Sequence, residues 1–111
     1  MKARIRVGSF HWVIVEQIKD PDITFLLAAG ETLTLFGLSD EPHVFQIKRI
    51  TPMGVDVELA GPYLVLVPEN AGIGDGQLCT EFSLKIGESR KIATPTCDSG
   101  IVWDIHLEEI F

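Results

Sequence analysis

Phe25-Leu26-Leu27-Ala28-Ala29-Gly30-Glu31-Thr32 and Phe82-Ser83-Leu84-Lys85-Ile86-Gly87-Glu88-Ser89 align without a gap. The two stretches share Phe, Leu, Gly and Glu at equivalent places and exchange Thr for Ser at the end. An apolar strand running into a Gly-Glu turn is thus written twice. With a one-residue slip the likeness continues, setting Phe45-Gln46-Ile47 on Trp103-Asp104-Ile105. Repetition at this period predicts two similar β-units of about 55 residues, packed together as one domain.

The rest of the chain follows the same reading. Apolar residues alternate instead of recurring every third and fourth position, and glycines and prolines interrupt them at short intervals. That pattern is the signature of an antiparallel sandwich or barrel. The expected fold is therefore a small all-β sandwich, immunoglobulin-like or jelly-roll-like, in a single domain over residues 1–111. Strands are expected at 2–7, 10–18, 23–28, 33–36, 43–51, 55–60, 63–67, 80–86, 89–94 and 101–110. Trp12, Phe25, Phe45, Phe82 and Trp103 are the expected aromatic core.

Residues 43–51 also admit a helix, because Ser39-Asp40-Glu41-Pro42 could start one and Val44, Ile47 and Ile50 fall at helical spacing. The following Thr51-Pro52-Met53-Gly54 favours a strand, since it fits a type I turn closed by a left-handed glycine. The resulting hairpin joins Phe45 and Ile47 to Val57 and Leu59, and places Lys48 opposite Glu58. Tyr63 to Val67 is apolar at every position and predicts a central strand covered on both faces.

Sixteen acidic residues against nine basic ones leave a net charge of −7, which repels a phosphate backbone and argues against a nucleic-acid partner. Lys2, Arg4 and Arg6 alternate along a strand and should form one solvated face. No run reaches the roughly 20 apolar residues of a membrane helix. The basic N-terminus is followed by no continuous apolar region, so no secretory signal is read there. With only two cysteines, a cytoplasmic location is expected.

Residues bearing chemistry are sparse. The segment from Pro68 to Gln77 has little to bury, and Asn70, Gly72, Gly74, Asp75 and Gly76 mark it as a candidate ligand or partner loop. A phosphate cradle would need a helix after the glycines, whereas Cys79-Thr80-Glu81-Phe82 reads as strand. If Gly87-Glu88-Ser89 closes a hairpin, Leu84 faces Ile92 and Cys79 faces Cys97. Directly opposed strand residues lie within disulfide range, so a cross-strand thiol pair is a candidate. His11, His43 and His106 stand on separate strands with no spacing that sets two imidazoles on one metal, and no nucleophile sits in a strained Gly-flanked turn. No catalytic residue, metal or cofactor is assigned.

Two family resemblances touch these residues. In its Gly-Glu turn and its length the chain resembles the cupins, jelly-roll proteins that hold a metal through a His-x-His and a third His. Only His43 lies near the first Gly-Glu turn here, so the resemblance implies at most a cupin-like small-ligand or metal site. Leu84-x-x-Gly87-Glu88-x-x-x-Ile92-x-x-Pro95-x-x-x-x-Gly100-x-x-Trp103 looks like the strand, loop and tryptophan strand of bacterial immunoglobulin-like domains. It is also similar to the corresponding part of chagasin-type inhibitors of papain-like proteases. That likeness implies a sandwich with Trp103 in its core. Thr94-Pro95-Thr96 keeps part of the inhibitory loop, but Thr94 replaces its Asn and Cys97-Asp98-Ser99-Gly100 its Thr-Gly junction. A chagasin-like protease inhibitor is the further alternative the resemblance implies. The leading expectation remains a non-enzymatic binding or assembly module with a protein partner or a second copy of itself, and a homodimer is expected because small β-proteins carry pairable edges.

Overall fold

The computed structural model describes residues 1–13, 16–36, 42–66, 77–93 and 99–111. These form eight strands: β1 (Lys2–Val13), β2 (Glu16–Ala28), β3 (Thr32–Phe36), β4 (Pro42–Thr51), β5 (Gly54–Leu66), β6 (Gln77–Lys85), β7 (Ser89–Ala93) and β8 (Ser99–Ile110). All pairings are antiparallel. One sheet runs β3-β4-β5-β6 and the other β2-β1-β8-β7, so the expected β-sandwich is formed. No helix among the described residues is long and apolar enough to cross a membrane.

The repeat is visible atom by atom. Gly30 and Gly87 both adopt positive φ, at 88° and 89°, where a Cβ would strain the backbone. The N–H groups of Glu31 and Glu88 donate to the carbonyls of Ala28 and Lys85, at 3.1 and 3.0 Å. Each glutamate then folds back, its carboxylate accepting the N–H of Ala28 or Lys85 at 2.9 and 2.8 Å. Gly30 donates to the Ile47 carbonyl and Gly87 to that of Leu107, while Ile47 and Leu107 return bonds to the carbonyls of Glu31 and Glu88. Ile47 therefore corresponds to Leu107, not to Ile105, so the slip between the halves is three residues instead of one. The added offset lies at the start of β8, where Ser99, Gly100 and Ile101 pair with β1 before Val102 meets Ala93, whereas Pro42 at the start of β4 already meets Phe36.

β1–β4 map in this way onto β5–β8, as the expected pair of half-chain units. Both halves carry a bulge at the same place, with Lys48 skipped between β4 and β5 and Glu108 skipped between β8 and β1. The bulges set Arg49 beside Asp56 and Glu109 beside Arg4. Ion pairs of 3.0 and 2.6 Å form at these equivalent positions with their signs exchanged. Lys48 instead reaches Glu81 at 3.5 Å, and Gln46 takes the place opposite Glu58 that was expected for Lys48. Exposed pairs of this kind contribute well under about 1 kcal/mol each. Lys2 exchanges two backbone hydrogen bonds with Phe111, in the place that Gly54 and Thr51 occupy in the other half.

Three strand expectations are corrected. Residues 10–18 are not one strand: β1 continues through Gly8 and Ser9 to Val13, and β2 starts at Glu16 opposite it. The segments 55–60 and 63–66 belong to one strand, β5, whose pairing with β4 ends at Leu59 and whose pairing with β7 begins at Leu64, and Val67 lies outside the described residues. Pro62, between them, has no N–H for the ladder, so pairing breaks at that point, and beyond it β5 leaves β4 for β7. Gly54 is not left-handed. A Cβ at Gly54 would fall 2.2 Å from the Leu84 carbonyl oxygen, so close approach of β6 is what demands glycine. Residues 43–51 are strand, with Phe45 opposite Leu59 and Ile47 opposite Val57 as expected.

The core lies between the sheets and is built from alternate residues of every strand: Ile5 and Val7, Leu27, Leu33 and Leu35, Phe45 and Ile47, Val57, Leu84, Ile92, Trp103 and Ile105 are all buried. Phe45, Phe82 and Trp103 are core residues as expected, Phe25 is partly buried against them, and the side chain of Trp12 lies outside the described residues.

Candidate functional site

The topology sorts the connections by end. The Gly30 and Gly87 turns, the Pro52-Met53 turn and the Lys2/Phe111 pair all fall at one end of the sandwich. At the opposite end lie the strand termini Val13, Glu16, Phe36, Pro42, Leu66, Gln77, Ala93 and Ser99. Asn70, Gly72, Gly74, Asp75, Gly76 and Cys97 lie outside the described residues, between strand termini of that second end.

His43, Tyr63 and Trp103 meet toward this loop-bearing end. His43 comes from the start of β4, on the same face as Phe45 and Ile47. Its Nδ1 shares a 2.6 Å hydrogen bond with the Tyr63 hydroxyl. The imidazole also lies 4.9 Å from the Trp103 ring, centroid to centroid, and Phe45 meets both Tyr63 and Trp103 edge-on, at 5.4 and 5.6 Å. Edge-on aromatic pairs add about 0.5–1.5 kcal/mol each beyond area burial. Cys79 packs half-buried against this core, opposite Tyr63 on β5. The cluster joins an imidazole to a phenol, with Cys79 paired in register with Tyr63, a grouping the sequence scattered over three strands.

The hairpin expected to set Cys79 opposite Cys97 is not formed. Among the described residues β6 pairs with β5, and β7 with β5 and β8. The turn at Gly87 carries the chain from one sheet to the other, as Gly30 does in the first half. His106 is remote from His43, on the outer face of β8, where its Nδ1 shares a 2.6 Å hydrogen bond with Ser89 Oγ on β7. No group of three His, Cys, Asp or Glu that could hold a metal occurs among the described residues.

A second polar feature sits near the turn-bearing end. Ser83 donates to Asp56 Oδ1 at 2.6 Å and Arg49 Nε donates to Asp56 Oδ2 at 3.0 Å. The Ser83 hydrogen bond above all, helped by the charge of Arg49, holds the Asp56 carboxyl below its ordinary value. These side chains edge an open depression of about 360 Å³, flanked by Lys85, Glu88 and Arg90. Lys2, Arg4 and Arg6 share one solvated face as expected. Arg4 is paired with Glu109, and Arg6 lies 3.9 Å from both Asp22 and Glu108.

The third feature is the outer edge of β2, which among the described residues pairs only with β1. Ile23 and Leu26 are 54% and 52% exposed. The aligned positions on β6 are Thr80 and Ser83, and the outward row Glu81, Ser83, Lys85 there corresponds to Thr24, Leu26, Ala28 on β2. One edge is blunted by charge and the other is apolar, although the fold places both alike. This contrast was already visible in the aligned segments, where Leu26 stands over Ser83. Comparison of the chain with family models, with curated proteins and with solved structures found no match to any of them.

Proposed function

We propose that this protein is a non-enzymatic binding or assembly module of the cytoplasm, acting through a sheet edge. The observation that carries this reading is the apolar edge of β2. Within one molecule, β6 demonstrates that the position does not need apolar side chains for folding, because Thr80 and Ser83 serve there. Exposing Ile23 and Leu26 to water is unfavourable by the transfer cost of their side chains, which a partner would remove. The low cysteine content agrees with a reducing compartment.

Intact native mass spectrometry of the untreated protein, with and without reductant and chelator, tests it. A metal-free assembly, or a stoichiometric protein partner, is the expected result. A stoichiometric metal or small molecule would overturn it in favour of a cupin-like ligand site. The pairing of His43 with Tyr63 at the loop-bearing end favours that second reading, and His43 would then be the first residue to replace.

A further inference from the structure

Resting on the reading above, we infer that the partner of the β2 edge is a second copy of this chain, paired antiparallel to it about a twofold axis at Phe25. The backbone selects that register. Lys2 directs both its N–H and its C=O to Phe111, the residue that follows β8. Because successive residues of a strand alternate in the side to which they bond, Arg4 and Arg6 also face β8, and their β2 partners Leu26 and Thr24 turn their own N–H and C=O away from β1. Ala28 shares this orientation, but its N–H and C=O are already taken by Glu31. Between Ile23 and Ala28, Thr24 and Leu26 are thus the two residues that offer outward hydrogen-bonding groups not taken up among the described residues.

A twofold at Phe25 sets Thr24 opposite Leu26 of the second copy, and Leu26 opposite its Thr24. Each such pair exchanges two bonds, so all four outward groups on each strand are satisfied. Centring the axis on Leu26 would bring Thr24 against the occupied Ala28 and form half as many. At Phe25 the two aromatic rings meet as a close, non-hydrogen-bonded pair, and Ile23 covers Leu27 of the other copy.

Charge agrees with this occupant. Ile23 to Ala28 carries no ionisable group in a chain of net charge −7, so two copies approach there without direct repulsion. The pairing sets Asp22 opposite Ala28 of the second copy, whose other neighbour is Lys2. Asp22 and Lys2 then stand two strand spacings apart, about 9.6 Å between backbones, within the reach of the two side chains. Upstream, Lys19-Asp20-Pro21 ends the pairable segment, as charges and proline do on natural edge strands.

The test is sedimentation equilibrium of the full chain together with amide exchange by NMR. The wild type is expected to dimerise at micromolar concentration, with exchange of the Thr24 and Leu26 amides slowing as concentration rises. Leu26→Lys should weaken the dimer roughly a hundredfold, because the twofold places each change in the interface twice. Thr24→Pro, which removes an N–H that β1 does not use, should act likewise, while Ser83→Lys on β6 should leave the dimer intact. A dimer indifferent to Leu26→Lys, or a wild type monomeric at hundreds of micromolar, would overturn the inference. Neither result touches the binding-module reading, which only the bound metal or small molecule described above removes.

Discussion

Replacing Gly54 by alanine sets two effects of opposite sign against each other. Gly54 does not lie in the left-handed region, so on backbone entropy alone alanine would stabilise the protein by about 0.4–1 kcal/mol. The added Cβ, however, would stand 2.2 Å from the Leu84 carbonyl oxygen and 3.1 Å from its carbon. The closest comfortable carbon–oxygen approach is about 3.3 Å, so β6 would have to retreat by roughly 1 Å. The obstacle is backbone held in the β5–β6 ladder, where Gly54 pairs with Lys85 and Val55 with Leu84. Overpacking of this kind costs about 1–3 kcal/mol, and loosening one ladder bond adds about 1 kcal/mol. The clash therefore wins, with a net loss of about 2–3 kcal/mol, or roughly 10 °C in the melting temperature. Urea and thermal unfolding followed by circular dichroism measure it, with Gly87→Ala as the comparator. At Gly87 nothing crowds the Cβ and only the positive φ opposes substitution, so about 1–2 kcal/mol is expected. A Gly54→Ala protein as stable as the wild type would refute the steric argument.

Three further outcomes follow from the geometry. Ser83→Ala should raise the Asp56 titration midpoint, because the serine hydrogen bond is the first cause of its depression. NMR titration of the carboxyl would show it, and an unchanged midpoint would contradict it. A lowered folded-state value means that Asp56 adds stability above the unfolded carboxyl range and loses it as the pH falls through the folded midpoint, so the stability deficit of Ser83→Ala should be largest near neutral pH and shrink in acid. Tyr63→Phe should cost about 1–2 kcal/mol by unfolding measurements, since it strips His43 Nδ1 of its 2.6 Å partner in a partly buried site. An unchanged midpoint would mean that water replaces the hydroxyl at no cost. Joining Phe111 to Met1 through one residue and opening the chain between Pro52 and Met53 should give a folded protein with the wild-type spectrum, because Lys2 and Phe111 already pair as Gly54 and Thr51 do. An unfolded product would show that the Pro52-Met53 turn is needed to dock the halves.

The local chemistry of the chain was legible where its causes were local. The doubled Gly-Glu turn could be read because the positive φ and the returning glutamate involve residues only a few positions apart. Alternation exposed the strands and placed Phe45, Phe82 and Trp103 inside, since a half-buried sheet imposes period two on its own sequence. What a turn connects is another matter. A hairpin and a corner between sheets can begin with the same residues, and the choice at Gly87 depends on Leu107, which accepts from Gly87 and donates to Glu88. The same distance hid the meeting of His43 with Tyr63 and Trp103, the partner exchange of β5 at Pro62, and the requirement for glycine at residue 54. Sequence by itself determined two β-units, their turns and their buried faces, because these follow from propensity and pattern along one strand. Only the tertiary structure decided which edges pair, which are blunted and which stay open, because strand pairing is a contest among distant segments that local sequence does not record.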